Sequence, residues 1–307
     1  LANTNELFKN LIGNEKTDFS RYNFFFSSYL LYENDFINAE NIISKNRSNS
    51  KSNLLINQTY EFFKNKKYSK IKSFFNCKNT NHTLAEFFYI ISNFYSTEND
   101  FLLSNFYLKI SLFLNNSFVS NKTLLAENYM QQEKFKLSKE IYKSIKKIGI
   151  IYSWHSNTKI SYILSKIETT DKAFSYLEKE LLLLENPNYN NYYDLANLYK
   201  DYNNHKKAIE YYSLALEKLK TGHELIPKIF DKRGTSYERM GNWLKAEEDL
   251  KKSLEILPDQ PYVLNYLAYS WIDKKINIEK SLEMLKQAND LRKNDGYIID
   301  SLGWAFY

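Results

Sequence analysis

A chain of 307 residues with 43% hydrophobic and 17% aromatic side chains can bury a large core, and its 7 Gly and 4 Pro leave little punctuation for a β-rich fold. The net charge of +6 is too mild to imply a nucleic-acid partner by itself, and a lone cysteine, Cys77, excludes an internal disulfide. The apolar runs Phe24-Phe25-Phe26 and Phe87–Ile91 are too short to span a bilayer.

Taken in order, residues 1–18 read as a short amphipathic lead-in. From Phe19 a small or polar residue recurs at Ser27, Asn57, Ser92, Ala126, Ser161, Ala196, Gly234, Ala268 and Gly303, with spacings of 30, 35, 34, 35, 35, 38, 34 and 35. A second series, Ala39, Ser69, Ser104, Ser138, Ala173, Ala208, Ala246 and Ser281, follows 12 or 13 residues behind the first. Three residues after each first-series member stands a bulky one: Leu30, Tyr60, Tyr95, Tyr129, Leu164, Tyr199, Tyr237, Trp271 and Phe306. Linked series with this period predict helical hairpins stacked as a solenoid. The extra residues of the longest spacing fall in a loop at Lys220–His223. The pattern is weak over 19–118 and clear over 119–307, with the last repeat cut short, and 19–307 reads as one continuous domain. Beginning at Leu1 without Met and stopping at Tyr307 inside a helical pattern, the chain reads as a fragment or processed form of a longer protein.

The stretch Pro227–Gln260 shows the mechanics of one hairpin in 34 residues. Gly234 lets two helix backbones come close, and Tyr237 fills the space beside them. Gly241-Asn242 ends the first helix and caps the second. Ala246, Leu250 and Ser253 share one face of the second helix, and Pro258 blocks its continuation. This spacing resembles the tetratricopeptide repeat (TPR). The resemblance implies an all-α, right-handed α-α superhelix of about eight hairpins, elongated, with contacts between adjacent hairpins only. A 35-residue spacing also belongs to pentatricopeptide repeats, which read single-stranded RNA. The paired small residues and Pro258 favour the tetratricopeptide pattern, and no consistent base-reading side chain recurs.

The blocks Asn265–Ser270 and Asp300–Trp304 are similar to the C-terminal repeats of a proteobacterial TPR family. Some members of that family are envelope lipoproteins acting as adaptors for a processing protease. The implied location is the bacterial envelope, with a membrane-anchored full-length form.

No chemistry-bearing constellation stands out. His82, His155, His205 and His223 are dispersed and read as surface histidines, and Cys77 reads as a half-buried apolar residue. Glu247-Glu248-Asp249 read as solvated acids, and Lys64–Lys72 as an exposed basic edge. No phosphate-cradling or dinucleotide loop occurs, so no catalytic residue, metal or cofactor is expected.

In TPR arrays the first helix of each hairpin lines a concave groove, exposing positions three before, one after and four after the small residue. The resemblance therefore implies groove positions at Tyr193, Asn197 and Lys200, and at Asp231, Thr235 and Glu238 with Arg239 beside them. It also implies Asn265, Tyr269 and Ile272, then Asp300, Trp304 and Tyr307, with Tyr262 and Tyr162 on related positions. Aromatics mixed with Asn and charges suit an extended peptide or a helix. A carboxylate clamp is disfavoured, since Tyr193 stands where its Lys would be. The expected function is a non-catalytic scaffold or adaptor binding a protein or peptide. The rival is the substrate-recruiting arm of an enzyme whose catalytic domain lies beyond Tyr307; nucleic-acid binding through the basic N-terminal half is the weaker third.

Overall fold

The periodicity becomes eighteen α-helices in a computed structural model that describes residues 2–12, 20–46 and 53–307, with no strand among the described residues. They are α1 Ala2–Ile12, α2 Ser20–Tyr32, α3 Phe36–Asn46, α4 Leu54–Lys64, α5 Tyr68–Phe74, α6 Thr80–Thr97, α7 Phe101–Leu114, α8 Val119–Gln131 and α9 Phe135–Ile145. There follow α10 Ile150–Ile167, α11 Thr170–Leu182, α12 Tyr189–Asp201, α13 His205–Glu217, α14 Ile226–Arg239, α15 Trp243–Ile256, α16 Pro261–Asp273, α17 Ile278–Leu291 and α18 Gly296–Phe306. Eight hairpins, from α2/α3 to α16/α17, account for all but the first and last helices. Of the predicted lead-in, residues 2–12 form α1, whose Phe8 stacks on Phe26 at 4.9 Å. Residues 13–18, and Phe19 where the repeat series begins, lie outside the described residues. No helix among the described residues is long and apolar enough to cross a membrane.

The hairpin turns share one device. The residue seven after the first crossing residue adopts a left-handed φ: Asn34, Lys66, Asn99, Glu133, Asn203, Gly241 and Lys275. Its N–H and the next one bond back into the first helix, as in Asn203 N to Lys200 O at 3.0 Å and Asn204 N to Tyr199 O at 2.9 Å. This Schellman closure satisfies the terminal carbonyls and delivers the chain to the next N-cap. Asp100, Asn204 and Asn242 then cap α7, α13 and α15 through their side chains. The turn after Ser161 differs, with Glu168 at φ −129.

The small residues mark where hairpin helices cross. A Cβ on Gly234 would meet Ala246 O and Leu250 Cγ at 3.1 Å, tighter than ordinary packing. At most serine crossings the hydroxyl reaches the facing helix, whereas Ser281 bonds Asn277 O within its own helical turn. Ser27 donates to Ala39 O at 2.8 Å, Ser138 to Ala126 O at 2.8 Å and Ser161 to Ala173 O at 2.8 Å. A buried hydroxyl with a partner costs little, so serine is tolerated.

The second repeat departs from the predicted register. Asn57 is half-buried and Ser69 exposed, whereas Thr59 and Ile71 are fully buried. Lys66 lies seven residues after Thr59, as the left-handed residue does in the other hairpins, so the crossing pair is Thr59/Ile71 and the bulky position is Phe62 rather than Tyr60.

The molecule divides into two compact units, Leu1–Ala173 and Phe174–Tyr307. In the first, contacts are not confined to neighbouring hairpins: α4 packs on α10 as well as on α2, α3 and α5. Gln58 Oε1 accepts the Ile151 N–H at 3.1 Å, and its side chain occupies the space beside Gly149 that a Cβ would need. Arg21 grips Glu86 through two bonds of 2.9 and 2.7 Å beneath the rings of Tyr89 and Phe118. Burial opposes the Arg21 charge, but Glu86 more than offsets that and holds the guanidinium protonated.

The second unit carries its own buried pair, which corrects the expectation for Glu247-Glu248-Asp249. Asp249 is only 2% exposed and receives Arg233 bidentately at 2.7 and 2.8 Å, while Arg233 also donates to Ser213 Oγ. Glu247 accepts the indole N–H of buried Trp271 at 2.9 Å. Glu248 alone remains a solvated acid, paired with Lys252. Asp249→Ala should lower stability by about 3–5 kcal/mol in urea denaturation, because it strands a buried guanidinium, whereas Arg233→Met with Asp249→Leu should recover most of the loss. Equal stability of parent and single variant would show the pair to be solvated.

Candidate functional site

The inward positions of the first helices differ between the units. In the first unit many are consumed by packing: Phe24, Ser28 and Ile56 are 0% exposed and Thr123 is buried. Tyr162 is one inward position there that stays exposed. In the second unit none of the predicted positions is fully buried. Tyr193, Asn197, Lys200, Asp231 and Asn265 are half-buried, and Arg239, Tyr262, Tyr269, Asp300 and Trp304 are exposed. The small residues Ala196, Gly234 and Ala268 press the helix backs into the core and leave these side chains on the opposite face.

Four of the predicted residues meet around α12 and α14. The Tyr193 ring lies 6.0 Å from that of Tyr212, whose hydroxyl donates to Asn197 Oδ1 at 2.9 Å. Lys232 Nζ sits 6.0 Å from the Tyr193 ring centre. Burial pushes the Tyr193 phenol up to about 12, against its hydrogen bond with Asn197. Burial likewise raises Asp231, against the attraction of Lys232, Lys200 and Lys228. Lys232 is shifted down by burial, then by its neighbours Lys200 and Lys228. The result is a partly desolvated patch in which Lys200, Lys228 and Lys232 surround Asp231, with Asp201 also near Lys232.

The remaining predicted residues form smaller groups. Arg239 Nε stands 3.8 Å from Glu238, which accepts the Tyr266 hydroxyl at 2.8 Å. The Tyr262 hydroxyl donates to Asp295 at 2.8 Å, beneath the Arg292 guanidinium, itself 3.0 Å from the same carboxylate. Trp304 stacks on Tyr307 at 5.8 Å, and Tyr269 and Asp300 face solvent. The Asn265 Oδ1 and His205 Nδ1 atoms are buried without a hydrogen-bond partner. Both atoms are shielded from water, so each costs stability as it stands.

Sequence reasoning missed Lys228, Lys232, Tyr212, Tyr266 and the Arg292–Asp295 pair. Lys228 and Tyr262 sit six residues before their small residue, one turn along the same helix face, so extending the inward row would have found Lys228. Tyr212 belongs to a second helix and reaches the site only through the hairpin crossing.

The histidines are not surface residues. All four are half-buried; His82 and His223 accept backbone N–H groups of Asn76 and Leu225 through Nδ1. His155 lies against Tyr142, and burial, with Lys159 nearby, brings its imidazole down to about 4. Cys77 is half-buried, and burial pushes its thiol up. No group of three His, Cys, Asp or Glu among the described residues could hold a metal ion.

The Asp231 shift has a definite sign. A carboxyl raised by burial keeps its proton in the folded state where the unfolded chain has lost it, so stability falls as pH rises from 3.8 through the raised value. Asp231→Asn is therefore expected to raise the melting temperature at about pH 7 and to give little gain below about pH 4. A variant less stable than the parent at neutral pH would show that the lysines outweigh burial.

No protein-family model and no curated protein matches this chain. Among solved structures it is similar to a chain of the APC/C hetero-tetramer Cut9-Hcn1, with TM-score 0.52 and 15% identity over 91% of this chain and 55% of that one. The chain thus spans about half the length of that relative. It is also similar to the C-terminal part of a TPR repeat-containing protein from Cytophaga hutchinsonii, with TM-score 0.51 and 12% identity over 91% of this chain and 99% of that one. The helical hairpins, crossed at paired small residues, fold as tetratricopeptide repeats.

Proposed function

We propose that the chain is a non-catalytic interaction scaffold, and that the inner face of α12, α14, α16 and α18 in the second unit receives an extended peptide or helix of a protein partner. The observation that carries this reading is the contrast in use of equivalent positions. Where the first unit spends Phe24, Ile56 and Thr123 on its own core, the second keeps Asn265, Tyr269, Asp300 and Trp304 at or near the surface. Mixed aromatic and amide groups favour a polypeptide, whose backbone supplies donors and acceptors at regular spacing. The Asp231 carboxylate can accept from such a chain. Retaining groups that cost stability is expected where they contribute to binding.

The aromatic positions divide by role. Trp271 is 1% exposed and bonded to Glu247, and Tyr193 is partly engaged with Tyr212, so truncating either lowers stability. Tyr269, at 41% exposed, and Trp304, at 49%, are the free anchors. Peptides selected from a random display library against the chain should lose about 2 kcal/mol of affinity, roughly 30-fold, on Tyr269→Ala, with an unchanged melting temperature. Selected peptides that bind the Tyr269→Ala, Trp304→Ala double variant as tightly as the parent would move the site off this face.

A further inference from the structure

We infer that the hairpin α6/α7 is an interfacial docking surface for a bilayer carrying anionic lipid. On α6, Leu84, Phe87, Ile90 and Phe94 recur at helical spacing and are all exposed. On α7, Leu102 is 79% exposed, Phe106 57% and Phe113 90%, and positions 102, 106, 109 and 113 fall on one face. Contiguous exposed apolar rows on two packed helices exceed the scattered hydrophobics of an ordinary surface. The hairpin before them, α4/α5, packs on α2, α3 and α10.

Lys109 decides among occupants. It is exposed and stands in the row between Phe106 and Phe113. Buried against a protein layer, its ammonium would need an acid. A symmetric contact with a second copy would instead bring two lysines together. At a lipid headgroup layer its stem lies along the apolar surface while the ammonium meets phosphate. Acidic residues do not interrupt the rows. Glu86 is held by Arg21, while Glu98 and Asp100 belong to the turn between the helices. The unit around the hairpin is basic, with 23 Lys and Arg against 15 Asp and Glu in residues 1–173. A unit of net positive charge presenting an aromatic and aliphatic ridge matches an anionic interface, where rings enter the acyl boundary and the Lys109 ammonium remains among headgroups. This inference is independent of the groove in the second unit.

The test is co-sedimentation of the full chain with mixed phosphatidylcholine–phosphatidylglycerol vesicles and with pure phosphatidylcholine vesicles. The parent should partition onto the mixed vesicles and far less onto the neutral ones. Phe106→Ser with Phe113→Ser should weaken partition by about tenfold or more while leaving circular dichroism and melting unchanged, since both rings are exposed. Lys109→Glu, which leaves both rings in place, should also weaken it and flatten its loss with salt, because the attraction that salt screens is gone. Absence of parent binding to the mixed vesicles overturns the proposal, as does equal binding to both vesicle types or unaltered binding by both variants. A dimer of the parent that the Phe106→Ser, Phe113→Ser variant abolishes, without vesicle binding, assigns the face to a second copy and overturns it equally.

Discussion

Each hairpin depends on two helices approaching closely enough for backbone to meet side chain at one crossing. At Gly234 the opposing Ala246 carbonyl and Leu250 side chain leave almost no room for a methyl group. At most serine crossings the same proximity is converted into a hydrogen bond, Ser27 to Ala39 O or Ser161 to Ala173 O. Close approach in turn fixes which side chains must be bulky beside it and which must point away. The inward face is a geometric remainder of that contact. The left-handed residue seven positions on closes the hairpin and sets its second helix, so crossing and turn are one constraint seen at two places.

The two units bury charge by the same chemistry and to different effect. Asp249 with Arg233 ties α15 to α14 within a hairpin and reaches Ser213 on α13. Glu86 with Arg21 joins residues 65 apart in sequence, and does so beneath the rings of Phe118 and of Tyr89, which occupies an inward position. In the first unit the pair belongs to a packed interior, so the face that would form a groove there is largely filled. In the second the pair lies within one hairpin, and the predicted inner positions stay half-buried or exposed.

Polar groups on the open face are not at rest. Asp231 is held above its ordinary range by burial, and Asn265 Oδ1 has no partner, although both sit beside residues that could have been apolar. Locally consistent sequences depart from that consistency mainly where function requires it. The apolar rows of α6 and α7 are the complementary departure, hydrophobic side chains in water where an array would ordinarily place another layer.

The sequence by itself determined the helices, the hairpin period and seven of the eight crossings, because small residues twelve or thirteen apart report a steric requirement that no distant contact can alter. It also separated Trp271 from Tyr269, since residues one and three after the small position face opposite ways. It misplaced the second crossing, because neither Thr59 nor Ile71 is small, and only the turn at Lys66 reveals the register. It read Asp249 as solvated, because burial of an acid depends on an arginine one helix away. The packing of α4 on α10, the filling of one inner face and the bareness of α6/α7 were decided by tertiary structure alone. They turn on how successive hairpins rotate against each other, a property of many contacts together that no single residue or spacing encodes.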